Sequence, residues 1–362
     1  MTHMLRRSVG RDSSGAAGAG RIPLLGIVLA LALAGCGQPR QASTGPEPAA
    51  VEAPATLPGW ADDELATLGA AIERQCALRT PPPPWHTLCA EARAQGARLK
   101  AWIERRFRAV ALTAADGQAR GLITGYYEPL LTGSRQRLSA AQAPLYRRPP
   151  PAVLAAKPSR AQIENEALLA GNELLWVEDP VEAFFLQVQG SGRVRLPDGK
   201  LVRVGYAGDN GQPYRSIGRE LIERGALPAE QASAAAIKQW LRTNPAPARE
   251  VMQANPRYVF FRELPPLPAD AGPPGSLGVP LTPLRSVAVD PQRVPAGALL
   301  WLSTTHPSTG APLQRAVLAQ DTGAAIVGAV RADLFWGVGA EAERNAGSMK
   351  QAGRLWLLQP RD

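Results

Sequence analysis

Three aspartates in the last quarter of the chain have the setting that chemistry needs. Asp321 and Asp333 lie in LAQDTGAAIVGAVRADLFWG, Leu318 to Gly337, a run that otherwise reads as buried core, and Asp290 lies in SVAVDPQRVPAG. A carboxyl held protonated can give a proton to a leaving oxygen, while an ionised neighbour steadies positive charge. Asp333 precedes Leu334, Phe335 and Trp336; desolvation by such neighbours raises a carboxyl pKa, which suits a general acid near neutral pH. Asp290 and Asp321 each follow a strand-like run, where a carboxylate can emerge at a barrel rim. Asp290 precedes a proline and reads as a turn former. Asp321 opens Asp-Thr-Gly, often a loop cap and also the signature of aspartic proteases. Those enzymes need two copies and this chain has one, so a protease would have to be a dimer.

The elements that must position these residues follow from the pattern upstream. The chain has 362 residues and a formal charge of +9. Setting aside residues 1–35, with Arg6, Arg7, Arg11, Arg21 and Asp12, lowers the charge to +6. The basic residues are scattered, which excludes a clustered nucleic-acid interface and favours attraction to an anionic polymer or surface. RIPLLGIVLALALAGC has about a dozen apolar residues, too few for an ordinary membrane span and right for a secretory signal. It ends in Leu33-Ala34-Gly35-Cys36. Residues 36–59, rich in Pro and Ala, read as a flexible tether. Helical spacing from Asp62 to Phe107, as in Leu65, Leu68, Ile72, Leu88, Leu99, Trp102 and Ile103, predicts a helical prelude. Short β-prone runs follow, GLITGYYEPLL, AFFLQVQGSGRVRLPDGKLVRVGYAG and then GSLGVPLTPLRSVAVDP, GALLWLS and RAVLAQDTG. RSIGRELIERGAL and AAAIKQWLRTN read as a helical connection between the two β-rich blocks, with Asn244-Pro245 closing the second helix. The class is mainly β with α, and the pattern points to barrels rather than a parallel sheet. Once Cys36 is set aside, Cys76 and Cys89 remain. In an oxidising compartment they either bridge or stay as two buried thiols. Three histidines and no paired Cys or His spacing point to no metal and no cofactor.

Leu33 to Cys36 resembles the bacterial lipobox, which implies removal of residues 1–35 and acylation of Cys36. Gly37 in place of an aspartate then implies the outer membrane, with the chain facing the periplasm. SVAVDPQRVPAGALLWLS with AVLAQDTGAAIVGAVRADLFWG resembles the 3D domain, named for three aspartates. ITGYYEPLL with FFLQVQGSGRV resembles the upstream part of the membrane-bound lytic murein transglycosylase A family. The resemblance covers roughly residues 60–360 and implies a double-psi β-barrel domain, residues 60–128 and 215–362 with the 3D region at about 280–360. A smaller β-barrel, residues 129–214, is inserted in it, and glycan lies in the groove between the two. It also implies cleavage of the N-acetylmuramic acid–β-1,4–N-acetylglucosamine bond of peptidoglycan without water, leaving a 1,6-anhydro ring.

Carried over by motif, Asp333 is the catalytic acid, Asp321 the second groove aspartate and Asp290 the structural third. An intramolecular nucleophile relaxes the usual need for two catalytic carboxylates. Thr124 and Tyr126 are expected on the groove with Tyr127 packed inside, because strand alternation and family motif agree, and Gly125 between them is expected to bind substrate too. Gln189, Gly190 and Ser191 are expected to hydrogen-bond the sugar's N-acetyl and hydroxyl groups. Tyr206 and Asn210, from YAGDNGQPYRSIG, are expected in the groove too, although Asp209 and Asn210 would also serve to shape a loop. Glu128, before a proline, reads as a turn residue. Glycan strands and the outer membrane are the expected partners, with other murein synthases or hydrolases a further class, and no nucleic acid. The rival readings are a lipoprotein that binds peptidoglycan without cutting it and the dimeric Asp-Thr-Gly protease.

Overall fold

The computed structural model describes residues 51–266 and 271–361. The expected signal, residues 1–35, and the lipidation site Cys36 lie outside them. In chain order the described elements begin with β1 (Val51–Glu52), α1 (Ala66–Cys76), α2 (Trp85–Arg93), α3 (Leu99–Arg106), β2 (Phe107–Ala111) and β3 (Gly121–Glu128). Next come β4 (Leu130–Ser134), β5 (Ala143–Tyr146), α4 (Pro151–Leu154), α5 (Arg160–Asn165), β6 (Glu173–Val177), α6 (Pro180–Gln189), β7 (Ser191–Arg195) and β8 (Leu201–Asp209). Then α7 (Ile217–Glu223), α8 (Ala234–Thr243), α9 (Pro245–Gln253) and β9 (Val259–Glu263) lead to β10 (Ser286–Val289), β11 (Leu299–Thr305), β12 (Pro312–Thr322), β13 (Ala332–Val338), α10 (Ala340–Ser348) and β14 (Lys350–Pro360).

The first sheet runs β1-β2-β14-β11-β12-β10-β13-β3, and a further pairing of β14 with β3 closes six of these strands into a barrel. Closure depends on the length of β14. Its first residues, Lys350 to Gly353, pair with β3, and its later ones pair with β11 and β2. β10–β12 and β13–β3 are parallel; the other pairs are antiparallel. Period-two alternation sorts the apolar residues. Leu300, Leu302, Val317, Ala319, Leu334 and Leu355 fill the barrel, while Leu299, Trp301, Leu318 and Trp356 point outward under the α1–α3 helices. With both faces covered, β11 reads as a continuous apolar run. Each fully buried Leu or Val contributes about 1.5–3 kcal/mol.

The α1–α3 helices are fastened to the barrel by polar contacts as well. Gln75 Nε2 and Trp85 Nε1 both donate to the Gly297 carbonyl, at 3.0 and 2.7 Å. Cys76 and Cys89 are bridged, with Cα atoms 5.6 Å apart and a sequence separation of 13. Closing such a loop removes unfolded-state entropy that corresponds to about 3 kcal/mol.

The second sheet runs β5-β6-β4-β7-β8-β9, with β4–β7 parallel. Its core, including Leu145, Leu175, Val194, Val204 and Phe261, is closed on one side by Leu186 of α6. Phe184 and Phe185 of α6 face Ile217, Leu221, Leu241 and Val251 of α7–α9.

Four expectations change. Residues 51–59, placed in the tether, are packed: Val51 and Glu52 pair with β2, and Leu57 is buried in the core. The boundary at 214 is too early, because β9 pairs with β8 and the α7–α9 helices pack on α6, so the second lobe runs to about residue 263. The smaller barrel is a sheet whose end strands, β5 and β9, lie in contact with no hydrogen-bonded pairing between them among the described residues. AFFLQVQ is the body of α6 rather than a strand: Asp179 caps the helix, Pro180 takes its first position and Gly190, at φ 82°, ends it. A short apolar run does not by itself separate helix from strand.

Candidate active site

The two groove aspartates come from strands separated by one other. Ala288 of β10 is in register with Asp321 of β12 on one side and with Asp333 of β13 on the other, and Asp333 is in register with Thr124 of β3. Register partners share a sheet face, so Asp321, Ala288, Asp333 and Thr124 form one row. With strands about 4.8 Å apart, the main chains of the two aspartates are roughly 10 Å apart. Ala288, between them, is buried in a cluster with Tyr126, Ile326 and Phe335.

A β-bulge makes this row. Between Val287 and Ala288 the register with β12 shifts, so Val287 faces Ala319 and Ala288 faces Asp321. The skipped residue is Gln320, which is wholly buried and points the other way. Its Oε1 accepts from Ser286 Oγ at 2.6 Å, and its Nε2 donates to Ala71 O and Gln75 Oε1 of α1, each at 3.2 Å. Anchoring Gln320 under α1 turns Asp321 onto the face of Asp333, a use of a bulge to re-aim a side chain.

Asp333 Oδ1 accepts a 2.6 Å hydrogen bond from Thr124 Oγ1. Burial pushes its carboxyl up to about 6; the Thr124 bond and the Arg331 charge oppose the rise, and the Asp321 charge adds to it. Arg331 is turned to main-chain carbonyls, Ala332 O at 2.6 Å and Leu122 O at 3.4 Å. Burial also raises Asp321, against hydrogen bonds that favour its ionised form: Ser276 N at 2.8 Å, Thr322 N at 2.9 Å and the Tyr126 hydroxyl at 3.0 Å. The arrangement provides one carboxyl that keeps its proton toward neutrality and a second surrounded by donors, which is acid–base chemistry.

The other expected site residues divide. Tyr126 is buried against Phe335, with ring centroids 5.3 Å apart, and its hydroxyl goes to Asp321, so it positions a carboxylate and offers no open stacking face. Gly125 faces away: a Cβ there would lie 2.6 Å from Trp336 Nε1 and 2.9 Å from Ala346 Cα, so it is the gap that lets α10 settle on β3. Gln189 Oε1 accepts from the Tyr127 amide at 3.1 Å, which ties the end of α6 to β3; Gly190 ends that helix and Ser191 opens β7, paired with Gly205. Tyr206 is exposed and donates to Asp209, which also pairs with Arg257 at 2.7 Å. Asn210 is buried. Its Nδ2 donates to the Pro158 and Pro256 carbonyls, both at 2.8 Å, and its Oδ1 accepts from Tyr258 N, so it shapes the loop from inside. Asp290 accepts from Gln292 N at 2.9 Å and Gly328 N at 2.8 Å, bonds that hold it below the usual carboxylate range and join the loops around β10 and β13.

Several contributors carry no sequence signal that reasoning from residues found: Ala288 as spacer, Gln320 as the bulge anchor and the Ser276 amide. Tyr214, on the loop before α7, is another; burial raises its phenol pKa, and the Asp333 charge raises it further. Among the described residues no group of three or more His, Cys, Asp or Glu is arranged to hold a metal, and no helix is long and apolar enough to cross a membrane.

A family model described as the MltA specific insert domain matches residues 122–262, and one described as the 3D domain matches residues 285–359. A membrane-bound lytic murein transglycosylase A of Vibrio cholerae is 37% identical over 260 residues, covering 69% of this chain and 68% of the relative. The chain belongs to this family. Among solved structures, the lytic transglycosylase LtgG of Burkholderia pseudomallei is 50% identical with a TM-score of 0.62, spanning 87% of this chain and 96% of that one. The structure of Escherichia coli MltA with bound chitohexaose is 29% identical with a TM-score of 0.75, spanning 89% and 98%. The MltA insert match ends inside β9, in agreement with the lobe boundary drawn by hydrogen bonding. The 3D match takes in Asp290, Asp321 and Asp333.

Proposed function

We propose that the chain is a peptidoglycan lytic transglycosylase that cleaves the bond between N-acetylmuramic acid and N-acetylglucosamine without water. The observation that carries this is the row Asp321–Ala288–Asp333–Thr124, in which burial keeps a proton on Asp333 up to about pH 6. The protonated Asp333 gives its proton to the glycosidic oxygen as the bond to the muramic C1 breaks. The resulting carboxylate then takes the proton of the same sugar's 6-hydroxyl while O6 closes on C1. One residue thus returns to its starting state and the product is a 1,6-anhydro end. A nucleophile held in the substrate supplies the proximity advantage of an intramolecular reaction and removes the need for a second catalytic carboxylate. Asp321, held by Tyr126 and Ser276, steadies the positive charge that develops on the ring. Thr124 orients Asp333 and favours its carboxylate form between the two proton transfers.

Membership of the MltA family and the parallel β10–β12 and β13–β3 pairs support a double-psi barrel as the catalytic lobe. The order of charge, apolar run and small residues before Cys36 supports a lipid anchor, and Gly37 supports the outer membrane, with the catalytic part facing the periplasm. The test is digestion of purified sacculi by the chain without residues 1–36, followed by mass spectrometry. Ends one water lighter than hydrolase products are expected. Hydrated ends would sink the reaction type, and binding without release would favour the non-catalytic reading.

A further inference from the structure

Residues 126–129 carry the chain from the barrel into the second lobe, and their side chains part company. Tyr126 turns to Asp321. Glu128, read from sequence as a turn residue, is wholly buried and accepts from Arg193 Nε and Nη2 at 3.0 and 2.9 Å. Arg203, the cross-strand partner of Arg193, lies 3.9 Å from the same carboxylate. Both arginines also donate to Ala271 O, on the segment that returns to the barrel, at 3.4 and 2.9 Å. The outgoing and returning crossings are therefore pinned at one point. Pinned near one point, with Gln189 bonded to the Tyr127 amide in the same place, the crossing leaves the angle between the lobes to other contacts.

A second tie stands beside it. Lys238 of α8 is only 5% exposed, yet its Nζ has three acceptors: Glu182 Oε2 at 2.7 Å, Glu343 Oε1 at 2.7 Å and the Tyr127 hydroxyl at 3.3 Å, with the Phe185 ring centroid 5.0 Å away. These acceptors belong to three parts of the molecule. Glu182 lies on α6 of the second lobe, Glu343 on α10, which packs on β3 and β13 of the barrel, and Tyr127 on the crossing strand itself. Arg242, one turn beyond Lys238, pairs with Glu182 and Asp179, so Glu182 has a second cation. A cavity of about 300 Å³ lined by Tyr127, Thr132, Asp179, Glu182 and Glu343 adjoins the cluster, so the lobes are not packed solidly together there.

We propose that Lys238 is a positioning residue, a latch that sets the angle at which the second lobe meets the barrel and so the opening of the Asp333 site. Glu343 stands on α10, which packs on β13 and β3, the strands that carry Asp333 and Thr124, so a change of angle moves the second lobe relative to them. Losing the latch changes how substrate is held and leaves the acid itself in place. The kinetic arm of the test rests on the transglycosylase reading; the distance arm does not.

The experiment uses the full chain in detergent, carrying Cys36→Ser and spin labels introduced by Lys200→Cys on the second lobe and Thr309→Cys on the barrel. Both labelled positions are exposed. Lys238→Met is expected to shift or broaden the distance distribution between the labels and to raise KM for sacculi about fivefold, with kcat within about twofold of the parent. Glu343→Gln, at a half-exposed position, is expected to give the same pattern at about half that size, and it decides the matter should Lys238→Met fail to fold. An unchanged distance distribution overturns the latch, whatever happens to thermal stability. So does a fall in kcat at unchanged KM. A parent chain that cuts no sacculi removes the transglycosylase reading, and the label distances still test the latch.

Discussion

Asp63, buried where the segment before α1 meets β12, and Asp333, half-buried on β13, are two aspartates that desolvation pushes toward the protonated form. They end in opposite states. Asp63 is met by the fork of Arg285, with Nη2 to Oδ1 and Nη1 to Oδ2 both at 2.6 Å, and by the amides of Ala316 and Leu65. Against the rise from burial, the Arg285 bonds and charge and the two amides bring its carboxyl below the usual range. Asp333 has Thr124 as its side-chain donor, with Arg331 turned to carbonyls, and rises to about 6. A buried carboxylate with a matched cation is a staple; one without is a proton store.

The largest expected effect that separates them is on rate. Asp333→Asn should lower release of anhydro ends from sacculi at least ~10³-fold while binding to sacculi persists, as expected when the proton donor is removed. The counterpart, Asp63→Ala, should leave Arg285 buried without its partner and lower unfolding free energy by about 3–5 kcal/mol, read by urea denaturation, with activity retained at low temperature. A rate loss in both variants, or stability loss in both, would erase the distinction.

The pH dependence of stability should also run in opposite directions. Between pH 3.8 and about 6 the folded chain keeps the Asp333 proton that the unfolded chain has released, so this group's contribution falls as pH rises through that window. Asp63 is lowered, so its contribution is present above 3.8 and is lost as pH falls through its folded value. Asp333→Asn should therefore stabilise the fold at pH 7 by up to about 3 kcal/mol, the equivalent of two pKa units, and by much less at pH 4. The smallest effect tunes the store itself. Thr124→Val removes the donor that favours the carboxylate and should move the alkaline limb of the sacculus-cleavage profile up by roughly half to one pH unit. A downward move would mean that Thr124 accepts a hydrogen bond from Asp333.

Local pattern made part of this legible. The apolar neighbours of Asp333, Leu334 and Phe335, are wholly buried, and the alternation that named Thr124 puts its hydroxyl on that carboxyl. What local pattern does not carry is register and close packing. The Gln320 bulge, which turns Asp321 toward Asp333, depends on a hydrogen bond to α1 some 249 residues away along the chain. The packing of Gly125 depends on α10, and the burial of Asn210 on carbonyls of Pro158 and Pro256. The same limit moved the lobe boundary. β9 belongs with β8, across three helices, and hydropathy alone places it with whatever follows.

The central claim is that Asp333 holds its proton because burial outweighs the Thr124 bond and the charge of Arg331, whose hydrogen bonds go to carbonyls. Carboxyl ¹³C NMR of the chain, with the Asp333 signal assigned by its absence in Asp333→Asn, measures this directly. A titration midpoint at about 6 is the predicted result. A midpoint at or below the ordinary aspartate value of 3.8 would contradict the account, since the acid would then be ionised wherever the enzyme works.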